Sequence, residues 1–177
     1  MLKEEMLTYL SALNDALRDR DVKGEICLYG GAVMCLVYNA RPSTKDVDAV
    51  FQPASVIREA AKQVAAQHQL AEDWLNDGVK GFVVEHPRKV FANWSHLTVY
   101  VTEPDYLLAV KAMSARLDGM DNPDIRFLIK ELRLTSPAAV FAIIEQYYPR
   151  HQIKPATQFF IEELFDAYDH SRDQTGD

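Results

Sequence analysis

Cysteine is scarce in this 177-residue chain, which has only two, Cys27 and Cys35. Both sit among apolar neighbours without metal-ligand spacing. That excludes a disulfide scaffold and a cysteine-ligated metal, and it reads as two small buried hydrophobes in a reducing compartment. Long apolar runs are also missing. No stretch approaches the roughly 20 residues of a membrane span. The opening Met1-Leu2-Lys3-Glu4-Glu5 is charged and amphipathic, unlike a signal peptide. The expectation is a soluble, cytoplasmic protein with no membrane partner. Positive charge is in deficit: 19 Lys and Arg against 26 Asp and Glu leave a net charge of −7 and a pI near 5.2. This excludes a protein whose main task is to coat nucleic-acid backbone, but not a local basic patch. The 5 histidines show no ligand spacing. No Walker A loop and no Ser-His-Asp or Cys-His constellation is legible, nor is any internal repeat or flexible linker. What the chain does have is a core: 48% of it is hydrophobic, enough for one domain or a core with an appendage.

Periodicity divides the chain into a mixed front and a helical back. Met6, Leu10, Leu13 and Leu17 recur at helical spacing and predict a helix over Lys3–Arg20. A strand begins near Glu25 and breaks at Gly30-Gly31 into a helix from Ala32 to Tyr38. A second strand is expected from Asp46 to Phe51, then a helix from Pro53 to about Gln69 with Ser55 as N-cap. Phe82-Val83-Val84 is open between strand and loop, and Asn76-Asp77-Gly78 signals a turn. Leu97–Val101 alternates as a strand. Helices should follow from Pro104 to about Leu117, from Asp121 to about Leu134, from Ser136-Pro137 to Tyr148-Pro149, and from Ala156 to His170, before a frayed tail from Ser171 to Asp177. Tyr147-Tyr148 and Phe159-Phe160 read as packing. The expected division is an α/β core over residues 1–103 and a helical region packed on it over 104–177.

The chemistry concentrates in Ile26-Cys27-Leu28-Tyr29-Gly30-Gly31 and in Asp46-Val47-Asp48. Side chains two apart on a strand share a face, so Asp46 and Asp48 should project together while Val47, Ala49 and Phe51 pack. Two adjacent acids repel unless a cation sits between them. Oxygen donors that leave room for waters and phosphates suit Mg²⁺. Exposed N–H groups at Gly30 and Gly31 offer a seat for phosphate, although a tight turn needs glycine in any case. The bland alternative is a pair of edge-strand acids beside solvated Arg41 and Lys45, with Thr44 a turn residue.

With Gly30-Gly31 ahead of Arg41-Pro42-Ser43-Thr44-Lys45-Asp46-Val47-Asp48, the chain resembles the nucleotidyltransferase superfamily built on the DNA polymerase β-type core. It is most similar there to the small prokaryotic DUF6036-type and AbiEii-like nucleotidyltransferases. Two later segments, Leu107–Arg116 around Lys111 and Asp124-Ile125-Arg126-Phe127-Leu128, resemble that family's lysine helix and aspartate-led helix. The resemblance covers roughly residues 22 to 134. It implies an α/β (α+β) fold with a small mixed sheet flanked by helices and a C-terminal helical bundle. It also implies Mg²⁺ or Mn²⁺ on Asp46 and Asp48, and an NTP substrate contacted by Gly30, Gly31, Arg41, Thr44, Lys45, Lys111 and Asp124. The implied activity is transfer of an NMP from the NTP to an acceptor hydroxyl that the sequence does not identify, with RNA and protein as the candidates. Active relatives carry a third carboxylate on a later strand. Leu97–Val101 has none, and Glu85 would serve if Phe82–Val84 is that strand. A catalytically inactive nucleotide- or partner-binding module is therefore a second expectation. A toxin-type enzyme acting on RNA, with an antitoxin partner, is a third. For Lys111 the bland reading is a surface lysine, and for Asp124 an acid favoured in a first helical turn.

Overall fold

A computed structural model describes residues 1–114 and 121–172 of the chain. The expected helix end at Leu117, Arg116, and the tail from residue 173 onward lie outside them. The fold is mixed α/β, as expected. Two compact units are present: Met1–Val83 with Pro87–Glu103, and Val84–His86 with Pro104–Asp177.

The first unit is built on a sheet. Its helices are α1 (Lys3–Arg18), α2 (Gly30–Leu36) and α3 (Ala54–His68), and its strands are β1 (Gly24–Leu28), β2 (Val47–Gln52), β3 (Leu75–Asn76), β4 (Arg88–Asn93) and β5 (Leu97–Thr102). The strand order is β3-β2-β1-β5-β4. Strand β1 is central, antiparallel to β2 and parallel to β5. One face of the sheet carries Ile26, Leu28, Val47, Ala49, Leu97 and Val99, all buried. Helices α1 and α3 pack on each other. Their stripes, Met6, Leu10, Leu13 and Leu17 on one and Ile57, Ala60, Ala61 and Val64 on the other, are buried as well. Each fully buried leucine contributes about 1.5–3 kcal/mol. Gly24 lies under a side chain of each helix: a Cβ there would sit 3.0 Å from both Ile57 and Leu17. Helix α3 stops at Gln69, whose left-handed φ of 56° ends the hydrogen-bond ladder.

Several local expectations are corrected. Helix α2 starts at Gly30, two residues early, with extended Tyr29 as its N-cap. Pro53, not Ser55, occupies the N-cap of α3. Phe82-Val83-Val84, open between strand and loop in the sequence, is not a strand. It follows a 3₁₀ turn over Gly78–Gly81, and Pro87 shortly after lacks the N–H that a strand ladder needs. The strand lies further on, at β4, where alternation is hidden by polar residues and by a bulge between Val90 and Ala92.

The second unit is helical: α4 (Pro104–Ser114), α5 (Asp121–Glu131), α6 (Pro137–Glu145) and α7 (Pro155–Arg172). Tyr106 through Ala112 of α4 are all buried, so α4 is a core helix without a polar face. The Ser136 hydroxyl caps α6, accepting from the Ala139 N–H at 3.2 Å. Tyr148 is buried as expected, whereas Phe159 is 66% exposed. Val84–His86 belongs here through Tyr106: its hydroxyl accepts from the Val84 N–H at 2.9 Å, and the His86 ring stacks on it at 3.7 Å.

Burial pushes the Cys27 thiol up, and burial together with the Tyr106 hydroxyl pushes the Tyr148 phenol up. Both groups therefore lose their protons later in the folded chain than in the unfolded one. Above the ordinary thiol value of 9.0 the unfolded state binds fewer protons, so stability should fall as pH rises further. Urea unfolding at about pH 7 and about pH 10 checks this. An unchanged midpoint would count against it.

Candidate functional site

The glycine turn and the second acid meet across the β1–β2 ladder. Leu28 pairs with Ala49, and one residue on the Tyr29 N–H donates to the Asp48 carbonyl at 2.9 Å. Tyr29 is extended, and Gly30 then turns with φ +57°, a conformation that favours glycine. Gly30 is also fixed by space. A Cβ there would lie 2.6 Å from Asp48 Oδ2, closer than non-bonded carbon and oxygen tolerate. At Gly31 a Cβ would collide with Thr44 Oγ1 and stand 3.1 Å from an Arg41 guanidinium nitrogen. Gly30, Gly31, Arg41, Thr44 and Asp48 are thus brought together, and glycine keeps the backbone in reach of the acid, the hydroxyl and the guanidinium.

The connecting loop is anchored from an unexpected side. Leu2 bridges Ser43 in antiparallel fashion. The Met1 amine donates to the Thr44 carbonyl at 2.7 Å, and the Thr44 N–H returns to the Met1 carbonyl at 3.0 Å. Thr44 is buried, and its hydroxyl donates to the Asp46 carbonyl at 3.2 Å. Strand β2 starts at Val47, so Asp46 occupies the bend before it. Strand alternation accordingly governs Asp48 and does not extend to Asp46. Both acids are half-buried, while Lys45 is exposed.

The remaining expected site residues belong to the second unit. Glu85 is exposed in a bend. The condition on which it was a third acid, a strand at Phe82–Val84, is not met. Lys111 and Asp124 do meet: Nζ and Oδ2 are 2.7 Å apart, with side chains 5% and 4% exposed. Lys111 is therefore no surface lysine, and Asp124 is more than a first-turn acid. In the first unit, strand β5 ends in Thr102, whose buried hydroxyl has no hydrogen-bond partner among the described residues.

The donor chemistry near the glycines fits a hard cation. Among the described residues no group of three or more His, Cys, Asp or Glu gathers to hold a metal. A cation on Asp46 and Asp48 would complete its shell with waters and phosphate oxygens, as Mg²⁺ habitually does.

One feature had no legible signal. A pocket of about 340 Å³ is lined by Met1, Glu5 and Tyr9 near the start of α1, by Lys45 and Asp46, and by Gln69–Ala71, Asp73 and Trp74 after α3. Trp74 is 2% exposed, and its indole N–H donates to the Ala61 carbonyl at 3.0 Å. Its backbone carbonyl accepts from the Val47 N–H at 2.7 Å, fixing this wall to the start of β2. No helix among the described residues is long and apolar enough to cross a membrane. No family model, curated protein or solved structure matches the chain.

Proposed function

We propose that the protein is a Mg²⁺-dependent nucleotidyltransferase that moves an NMP from an NTP to an acceptor hydroxyl. The observation that carries this reading is the double close approach at the glycine turn: Gly30 against the Asp48 carboxylate, Gly31 against Thr44 and Arg41. A carboxylate, a guanidinium and a glycine backbone without side chains in one place suit a phosphate held through a cation. Asp46 and Asp48 would hold Mg²⁺, or Mn²⁺ in its stead. Gly30 and Gly31 would donate N–H groups to the β/γ-phosphates, with Arg41 and Lys45 balancing charge and Thr44 fixing the loop. When bound, the cation would neutralise charge on the departing pyrophosphate. In the second unit, the Asp124 carboxylate would hold the Lys111 ammonium in place.

The test is NTP binding with and without Mg²⁺, by calorimetry and thermal shift, on wild type and Asp46→Asn/Asp48→Asn. Metal-dependent binding that disappears in the variant is the expected result. NTP binding that ignores both Mg²⁺ and the two substitutions would remove the metal site.

A second reading is a nucleotide- or partner-binding module without turnover. It is favoured by the third acid: β5 carries none and ends in neutral Thr102, and Glu85 is not on a strand. Intact Mg²⁺–NTP binding with no transfer to any acceptor would select it. A toxin-type enzyme held by an antitoxin would use the same site and would arrest growth on expression.

A further inference from the structure

The pocket beside Asp46 bears on the acceptor, and its assignment rests on the transferase reading. Asp46 belongs both to the acid pair and to the pocket wall, so an acceptor seated there would meet the same carboxylate that the cation uses. At about 340 Å³ the space is at the small end of ligand sites. It has room for an amino-acid side chain and its neighbour. Half-buried Tyr9 packs edge-on against Trp74, with ring centroids 5.9 Å apart, and makes a firm apolar wall. The rim is acidic. Glu5 and Asp73 line it, and their chain neighbours Glu4 and Glu72 are exposed beside them. Against these carboxylates stand Lys45 and the Met1 amine; the amine donates to the Thr44 carbonyl and Glu5 Oε2 accepts from the Leu2 N–H, so Asp73 is the rim acid best placed to meet a ligand. Phosphate backbone approaching this rim would meet like charge, whereas a lysine or arginine would meet its complement.

We propose that the pocket is the acceptor subsite, and that the acceptor is a serine, threonine or tyrosine hydroxyl of a polypeptide flanked by basic residues. In the step, the hydroxyl oxygen bonds to the α-phosphorus of the NTP. The bond from that phosphorus to the α/β-bridging oxygen breaks, pyrophosphate leaves with the electron pair, and the hydroxyl proton passes to water. The products are an O-nucleotidyl side chain and pyrophosphate.

The experiment uses the full chain, Mg²⁺ and NTPs labelled at the α-phosphate. It offers three acceptors: a synthetic peptide with serine, threonine and tyrosine between lysines, the same peptide with glutamates replacing the lysines, and total RNA. Label should enter the basic peptide at least about tenfold faster than the acidic one, a ratio that corresponds to about 1.4 kcal/mol. Asp73→Lys, a change at an exposed residue, should erase that preference while Mg²⁺–NTP binding stays at the wild-type level. Labelled RNA with unlabelled peptides would overturn the acceptor class and leave nucleotidyl transfer standing. A preference unchanged in Asp73→Lys would overturn the pocket assignment. Absence of Mg²⁺–NTP binding would remove the transferase reading on which both depend.

Discussion

Asp48→Asn should lower nucleotidyl transfer by roughly 10²–10³-fold or more, the scale of losing one preorganised electrostatic contact in a reacting site. Its fold should survive. The amide is isosteric with the carboxylate, Asp48 is only half-buried, and the backbone bond from Tyr29 to the Asp48 carbonyl does not involve the side chain. The companion variant Gly30→Ala should behave differently. Its Cβ would press on the carboxylate from 2.6 Å, and a φ of +57° costs a non-glycine residue about 1–2 kcal/mol. Transfer and melting temperature should both fall in Gly30→Ala, but transfer alone in Asp48→Asn. Single-turnover assays with labelled NTP, run beside thermal melts, separate the two. Full transfer by Asp48→Asn would end the proposal.

The largest loss of stability is expected from Asp124→Ala. The change leaves the Lys111 ammonium buried, 5% exposed, without the carboxylate 2.7 Å away. Removing one partner of such a pair costs about 3–5 kcal/mol. Replacing both partners by apolar residues, Lys111→Met with Asp124→Leu, should recover most of that, because neither buried charge then remains. Urea unfolding followed by helical circular dichroism reads both variants. A cost below about 1 kcal/mol for Asp124→Ala would mean that the ammonium finds another partner or reaches water.

Much of the fold was legible because its signals are local. The stripe Met6-Leu10-Leu13-Leu17 announced α1, Ser136-Pro137 announced α6, and Leu97–Val101 announced β5. What was not legible depends on distant chain. Strand β3 is two residues long and exists only because Leu75 and Asn76 pair with Val47 and Asp48. Strand β4 has an exposed edge-like pattern broken by its bulge. Phe82-Val83-Val84 has strand composition, yet the Tyr106 hydroxyl, far along the chain, holds Val84 elsewhere. In the candidate site, the residue types and their order were readable from Gly30 to Asp48. The contact of Gly31 with Thr44 and Arg41 was not, nor was the seat of the loop against Met1, since spacing says nothing about which way the loop between Leu36 and Val47 folds back.

The parallel pairing of β1 with β5 has a consequence for synthesis. Gly24 pairs with Leu97, so β1 and β2 can zip together long before the other edge of β1 finds its mate. At translation rates of about 5–20 residues per second, that edge waits roughly several seconds. During the wait it presents Ile26, Cys27 and Leu28 as an open apolar strand, a template for pairing with another nascent chain. The β4–β5 hairpin, closed locally where the Trp94 N–H meets the Leu97 carbonyl, then arrives as a unit and seals it. Weaker expression, which thins out neighbouring nascent chains, shifts that race towards the intramolecular partner.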